Sequence, residues 1–139
     1  MKSIFKNIFL RISLTEKIIF AKHLAIMVKA GMPLLDAINM LKNQTKSRSL
    51  SKILTQVSVD VSNGQFLSKS LERYQSAFGD LFIHLIRVGE SGGILAENLL
   101  YLAEELKKKS ELRRKVIGSL IYPFIILLAT LGIALFLTI

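Results

Sequence analysis

Apolar residues return along this chain at helical intervals. Leu50, Ile53, Leu54, Val57 and Val61 stand at i, i+3, i+4, i+7 and i+11, a spacing that lines one face of a 3.6-residue turn. Phe78, Leu81, Phe82, Leu85 and Val88 form a second stripe. Leu95, Leu99, Leu102, Ala103 and Leu106 form a third. No stretch alternates apolar and polar positions as a half-buried strand would. The pattern predicts an all-α fold between Thr15 and Lys115.

Glycines punctuate the stripes in a repeating way. "GMPLLDAI" (Gly31–Ile38), "GQFLSKSL" (Gly64–Leu71) and "GGILAENL" (Gly92–Leu99) each read G-x-x-L-x-x-x-(L/I). A glycine can take the left-handed conformation that ends a helix, and the aliphatic pair that follows anchors the next helix. Pro33 fits the start of such a helix, where its missing N–H would be unpaired in any case. The chain is therefore expected to fold as a six-helix bundle of three helical hairpins, 15–30 with 33–45, 47–62 with 65–74, and 79–91 with 94 onward. Gly31, Pro33, Gly64, Gly89, Gly92 and Gly93 are assigned to its turns. The turn spacing is uneven, which excludes a regular solenoid.

The C-terminal pattern differs. From Val116 to Ile139 there are 24 residues and no charge, and as a helix they reach ~36 Å against a hydrocarbon core of ~30 Å. The segment has no polar stripe, so it reads as a transmembrane helix rather than a core helix. Neither glycine nor proline interrupts the run from Ile94 to Ile117, so the last bundle helix is expected to continue into the membrane. Glu104–Lys108, Glu105–Lys109 and Glu111–Lys115 support that stalk as i, i+4 pairs. Pro123 is expected to kink the span.

Composition and charge sharpen this picture. Hydrophobic residues make up 51% of the chain and mean hydropathy is +0.46, an excess concentrated after Lys115. Of the net charge of +9, most lies in "KKKSELRRK", where Lys107, Lys108, Lys109, Arg113, Arg114 and Lys115 surround a single acid. A basic cluster beside a span marks its cytoplasmic side, which predicts a cytoplasmic N-terminal domain and contact with membrane lipid. Without interleaved aromatics or a recognition motif, the cluster does not read as a nucleic-acid site. At the other end Ile4, Phe5, Ile8, Phe9 and Ile12 share a helical face, suited either to the membrane surface or to docking on the bundle. The organisation is then 1–14 amphipathic segment, 15–115 helical domain and 116–139 transmembrane helix.

One motif suggests chemistry. "GESGG" (Gly89–Gly93) satisfies the G-x-S-x-G pattern of a nucleophile elbow, but an elbow needs a strand before the serine and a histidine after it. The preceding segment is helical by period and no histidine follows Ser91. There is no G-K-[ST] phosphate loop, no cysteine, and no metal-ligand spacing around His23 or His84. No catalytic, cofactor or metal residue is assigned, and no enzymatic activity or cofactor is expected. His84 is expected on a polar face with Asp80 and Arg87.

Four segments in order resemble a known family. "FAKHLAIMVKAGMPLLDAINML" (Phe20–Leu41) carries an A-G-x-P-L turn, "VSNGQFLSKSL" (Val61–Leu71) a second turn, and "VGESGGILAENL" (Val88–Leu99) a third, followed by "YP" at Tyr122-Pro123. They resemble the F-domain family of inner-membrane platform proteins of type II secretion, type IV pilus and competence-pilus machines. The resemblance implies a non-enzymatic platform subunit in a bacterial or archaeal inner membrane. The implied partners are a cytoplasmic secretion or pilus ATPase, other inner-membrane subunits, and a pilin or pseudopilin, with a second copy of the chain as a further candidate. Family members carry two such repeats and three spans, so one repeat and one span imply a fragment or a single-repeat member. A self-contained tail-anchored helical adaptor is the alternative. Arg87, Glu90 and Glu97, on the polar surface near "GESGG", are the candidate partner-binding residues, although Arg87 and Glu90 also stand i, i+3 and could simply pair with each other.

Overall fold

In a computed structural model, residues 10–139 are described. Most of the N-terminal amphipathic segment therefore lies outside the described residues. Ile12, at its end, is buried in the core, and Leu10 packs against that core.

Helix α1 (Leu14–Lys29) starts at Ser13, whose hydroxyl accepts the Glu16 N–H at 3.1 Å. Helix α2 (Leu34–Gln44) follows directly after Pro33. Helix α3 (Arg48–Ser62) is capped by Ser47, which accepts the Leu50 N–H at 3.2 Å. Such caps satisfy donors that the first turn leaves unpaired, each contributing about 1 kcal/mol. Then come α4 (Leu67–Leu71), a 3₁₀ turn (Glu72–Tyr74), α5 (Gln75–Phe78), α6 (Asp80–Gly92) and α7 (Leu95–Thr138). Among the described residues there is no strand. With residues 67–78 counted as one interrupted stretch, the described residues form the six helical segments that the sequence predicts. The closest packing is between α2 and α3, which the predicted pairing puts in different hairpins.

The core is one cluster fed by every helix of the bundle. Phe20 of α1, Phe78 of α5 and Phe82 of α6 form an aromatic triangle with ring centroids 4.9–6.1 Å apart, within the range where ring pairs attract beyond their area burial. Leu24, Ile38, Ile53, Leu54, Leu71, Ile86 and Leu99 fill the space around them. The second predicted stripe is corrected here. Gly79 takes φ 91° and separates α5 from α6, so Phe78 does not share a helical phase with the residues after it. The buried face of α6 is Phe82, Ile83, Ile86 and Gly89, whereas Leu81 and Val88 face outward.

The chain divides into two compact units, one ending at Leu106 and the other comprising Lys107–Ile139. Helix α7 contributes Ala96, Leu99, Leu102 and Ala103 to the first unit's buried residues. Its later part contains a window of mean hydropathy 2.6 with none of it buried, long and apolar enough to cross a membrane. The helix runs unbroken through Pro123.

Candidate partner-binding site

Three helices end in glycine caps that share a 6→1 backbone hydrogen bond; at the third, the Gly93 N–H donates to the Gly89 carbonyl as well. After α1, the Met32 N–H reaches the Met27 carbonyl at 3.1 Å and the Gly31 N–H reaches the Val28 carbonyl at 3.0 Å. After α3, Gln65 bonds to Asp60 at 3.0 Å and Gly64 to Val61 at 3.0 Å. After α6, Ile94 bonds to Gly89 at 2.9 Å. This is the Schellman arrangement, which places one residue in the left-handed region. Gly31 (φ 90°), Gly64 (φ 90°) and Gly93 (φ 68°) occupy it. The repeated G-x-x-L words are thus repeated helix caps, with one shift of register: in the third word the left-handed residue is Gly93, not Gly92. That leaves only Ile94 between the left-handed glycine and the next helix, where the other two words have two residues.

The shorter connection explains the density of glycine in "GESGG". Gly92 is the last residue of α6, and Gly89 lies inside that helix and is buried. A Cβ added at Gly89 would sit 2.8 Å from the Leu95 Cα, closer than non-bonded carbons pack. The assignment of Gly89 and Gly92 to the turn is corrected accordingly. Gly89 serves as the surface on which the start of α7 lies.

Glu90 faces a different neighbour. Its Oε2 accepts the Leu67 N–H at 2.7 Å and its Oε1 accepts the Ser68 N–H at 2.8 Å. Neither donor has an intrahelical partner, because both open α4, and α4 has no side-chain cap of its own. A carboxylate on two backbone donors makes charge-assisted bonds about twice as strong as neutral ones. Asn98 of α7 ties the same corner together through its Nδ2, which donates to the Leu85 carbonyl at 2.9 Å.

Around these turns lies a groove of about 650 Å³. The end of α1 gives it Val28 and Lys29, the second turn gives Gln65 and Phe66, and the start of α7 gives Leu95 and Glu97. Phe66 is 66% exposed, a large aromatic at a position where burial would be the norm. Glu97 is exposed in the first turn of α7, where the helix dipole favours an acid. The groove therefore offers an apolar floor, one free aromatic ring, and charges of both signs at its rim.

Of the three predicted partner-binding residues, the structure brings Glu90 and Glu97 to this groove and leaves Arg87 elsewhere. Arg87 forms an ion pair with Glu72 instead of with Glu90. It lines a separate cleft of about 770 Å³ with Gln75, Asp80 and His84, which places His84 on the polar face expected for it. His23 borders a third hollow, beside Glu16 and Gln44. The Ser91 hydroxyl donates to the Arg87 carbonyl at 3.0 Å within its own helix. Among the described residues no group of three or more His, Cys, Asp or Glu side chains is placed to hold a metal ion.

Sequence reasoning passed over Phe66, Gln65 and Lys29, and also Asp60. Asp60 is 6% exposed. It accepts from Ser70 Oγ at 2.7 Å and Gln56 Nε2 at 3.1 Å, and pairs with Arg73 at 3.5 Å. An acid three residues after Val57, on the apolar face of α3, was the available signal. Beside it Tyr74 is buried, and desolvation raises its phenol above the ordinary value of 10.0, with Arg73 opposing and Asp60 adding to the shift.

These features define an all-α unit turned by glycine caps, with an open groove at those caps and a helix long and apolar enough to cross a membrane. Residues 20–139 match the family model for Type II secretion system (T2SS), protein F, and the chain belongs to that family, whose members are inner-membrane proteins. Among its relatives, the type IV pilus assembly protein PilC of Thermus thermophilus is 39% identical over 89% of this chain and 30% of the relative. The type II secretion system protein F of Xanthomonas campestris pv. campestris is 37% identical over 84% of this chain and 28% of the relative, and that of Vibrio cholerae is 30% identical over 91% and 31%. The chain spans less than a third of the length of these relatives.

Proposed function

We propose that this chain is a non-enzymatic platform subunit, or the first repeat of one, in a type II secretion or type IV pilus-like machine. Its helical domain, taken as residues 15–115, lies in the cytoplasm, and residues 116–139 cross the inner membrane. It couples a cytoplasmic ATPase to the assembly of pilin or pseudopilin subunits. Family membership and the names of the relatives support the machine. The basic cluster before Val116 supports the orientation.

The observation that carries the mechanism is the groove at the glycine caps. Its lining includes Ala96 and Glu97, both in the first turn of the helix that continues into the membrane-capable stretch. A partner seated there would push or turn α7 directly. Rigid Schellman caps and the Glu90 clamp hold the groove's walls, so force reaches α7 rather than deforming the turns. Aromatic residues are favoured interface anchors, and Phe66 fills that role here. Glu90 contributes by holding the start of α4, next to Phe66, in place, and Glu97 by charge at the rim. The test is complementation of a strain lacking this gene. Phe66→Ser and Glu97→Lys should accumulate in the membrane yet fail to restore pilus assembly or secretion. Full restoration by both would overturn the assignment of this groove.

A further inference from the structure

The basic cluster has a geometry that its sequence conceals. Residues 107–115 belong to α7 and all six cations are exposed. At about 100° per residue from Lys107, Lys109 and Arg113 point to ~200° and ~240°, Arg114 to ~340° beside Lys107, and Lys108 and Lys115 to ~100° and ~80°. The six cations thus form three columns of two, spread around the whole circumference of the helix. Glu111, at about 40° on the same scale, is the single acid between two columns.

A docking patch for a protein would place its charge on one face, as amphipathic contact helices do. A closed collar fits a partner that surrounds the helix. Depth agrees with this: Arg113, Arg114 and Lys115 directly precede Val116, and the first three lysines lie roughly 6–12 Å from them along the helix axis by its rise per residue. Long lysine and arginine stems reach back to the interface, and surface potential from anionic lipid acts over about a Debye length, ~8 Å.

We propose that this collar selects anionic phospholipid headgroups and holds a shell of them around α7. The inference rests on α7 crossing the bilayer. Its consequence is mechanical: a helix clamped by charge over the turns before the span resists sliding along its axis but can still turn, because headgroups exchange around a ring.

The experiment uses the full chain reconstituted in phosphatidylcholine vesicles containing trace spin-labelled phosphatidylglycerol or, separately, spin-labelled phosphatidylcholine. Motional restriction of the phosphatidylcholine label reports insertion of the helix, independently of selectivity. Phosphatidylglycerol is expected to associate about threefold or more over phosphatidylcholine, since basic side chains near the surface attract anionic headgroups. The preference should fall toward unity at high salt, and inorganic phosphate should compete no better than sodium chloride of equal ionic strength. Neutralising one column at a time (Lys109→Gln with Arg113→Gln, Lys107→Gln with Arg114→Gln, Lys108→Gln with Lys115→Gln) should lower it by comparable steps. Restriction of both labels without preference overturns the collar. So does loss of the whole preference with one column, which would make it a one-sided patch. Absence of restriction for either label overturns the membrane crossing on which the collar rests.

Discussion

Glu90 of α6 holds the backbone of Leu67 across 23 positions of sequence, its Oε2 2.7 Å from the Leu67 nitrogen. The contact joins the third glycine cap to the second, because Leu67 opens the helix that follows Gly64. Removing the carboxylate leaves two helix-opening donors without an acceptor. Glu90→Ala should cost about 1–3 kcal/mol, read as a drop of roughly 4–8 °C in midpoint per kcal/mol for a domain of this size. Glu90→Gln, which still accepts, should cost less, and Glu90→Lys more. An unchanged midpoint in Glu90→Ala would show that the clamp is not formed in solution. Any effect of Glu90→Lys on partner binding therefore has to be read beside its effect on folding.

Gly89 gives a test of opposite sign to ordinary helix propensity. In an open helix interior, Gly→Ala stabilises by about 1 kcal/mol. At Gly89 the added methyl meets the Leu95 backbone, so Gly89→Ala should destabilise the domain and loosen the α6–α7 connection. Hydrogen exchange at the Ile94 amide, which bonds to the Gly89 carbonyl, should accelerate. Stabilisation by Gly89→Ala would refute the close approach.

The phenol of Tyr74 predicts an alkaline weakness. Burial raises its pKa above 10.0, so the folded state holds the proton more tightly than the unfolded chain. That contribution is fully present below the unfolded pKa and is lost as pH rises above it. Denaturant midpoints measured in the alkaline range should fall with pH, and Tyr74→Phe should flatten that fall. An equally steep fall in the variant would assign the effect to another group.

How far this was legible in sequence follows from how local each signal is. The helical segments, the three caps and the membrane-capable helix come from glycine placement and a 3.6-residue period, which neighbouring residues fix among themselves. The misphased stripe at Leu81 and Val88 followed from reading through Gly79, whose left-handed φ no flanking word announces. The role of Glu90 could not be read, because its partners are backbone donors brought near by the fold. Phe66 looked like one more apolar residue in a helical word, and only its exposure separates it from the buried Leu67 beside it. Arg87 was grouped with Glu90 by proximity in sequence, while folding gave it Glu72.

Orientation can be measured with single cysteines, since the chain has none of its own. Ser76→Cys, at an exposed position, should react with a membrane-impermeant maleimide only after the inner membrane is opened. Ile139→Cys should react in intact spheroplasts. The reverse pattern would invert the proposed topology.

The central claim is that partners of the machine seat in the groove at the glycine caps, and photo-crosslinking from position 66 tests it most directly. With a photoreactive phenylalanine analogue in place of Phe66, in cells where the machine is assembled, the account predicts an adduct with the cytoplasmic ATPase. The same analogue at Leu81, 54% exposed beside the Arg87 cleft, should give little or none. Equal adducts from both positions, or none from position 66 in a working machine, would contradict it.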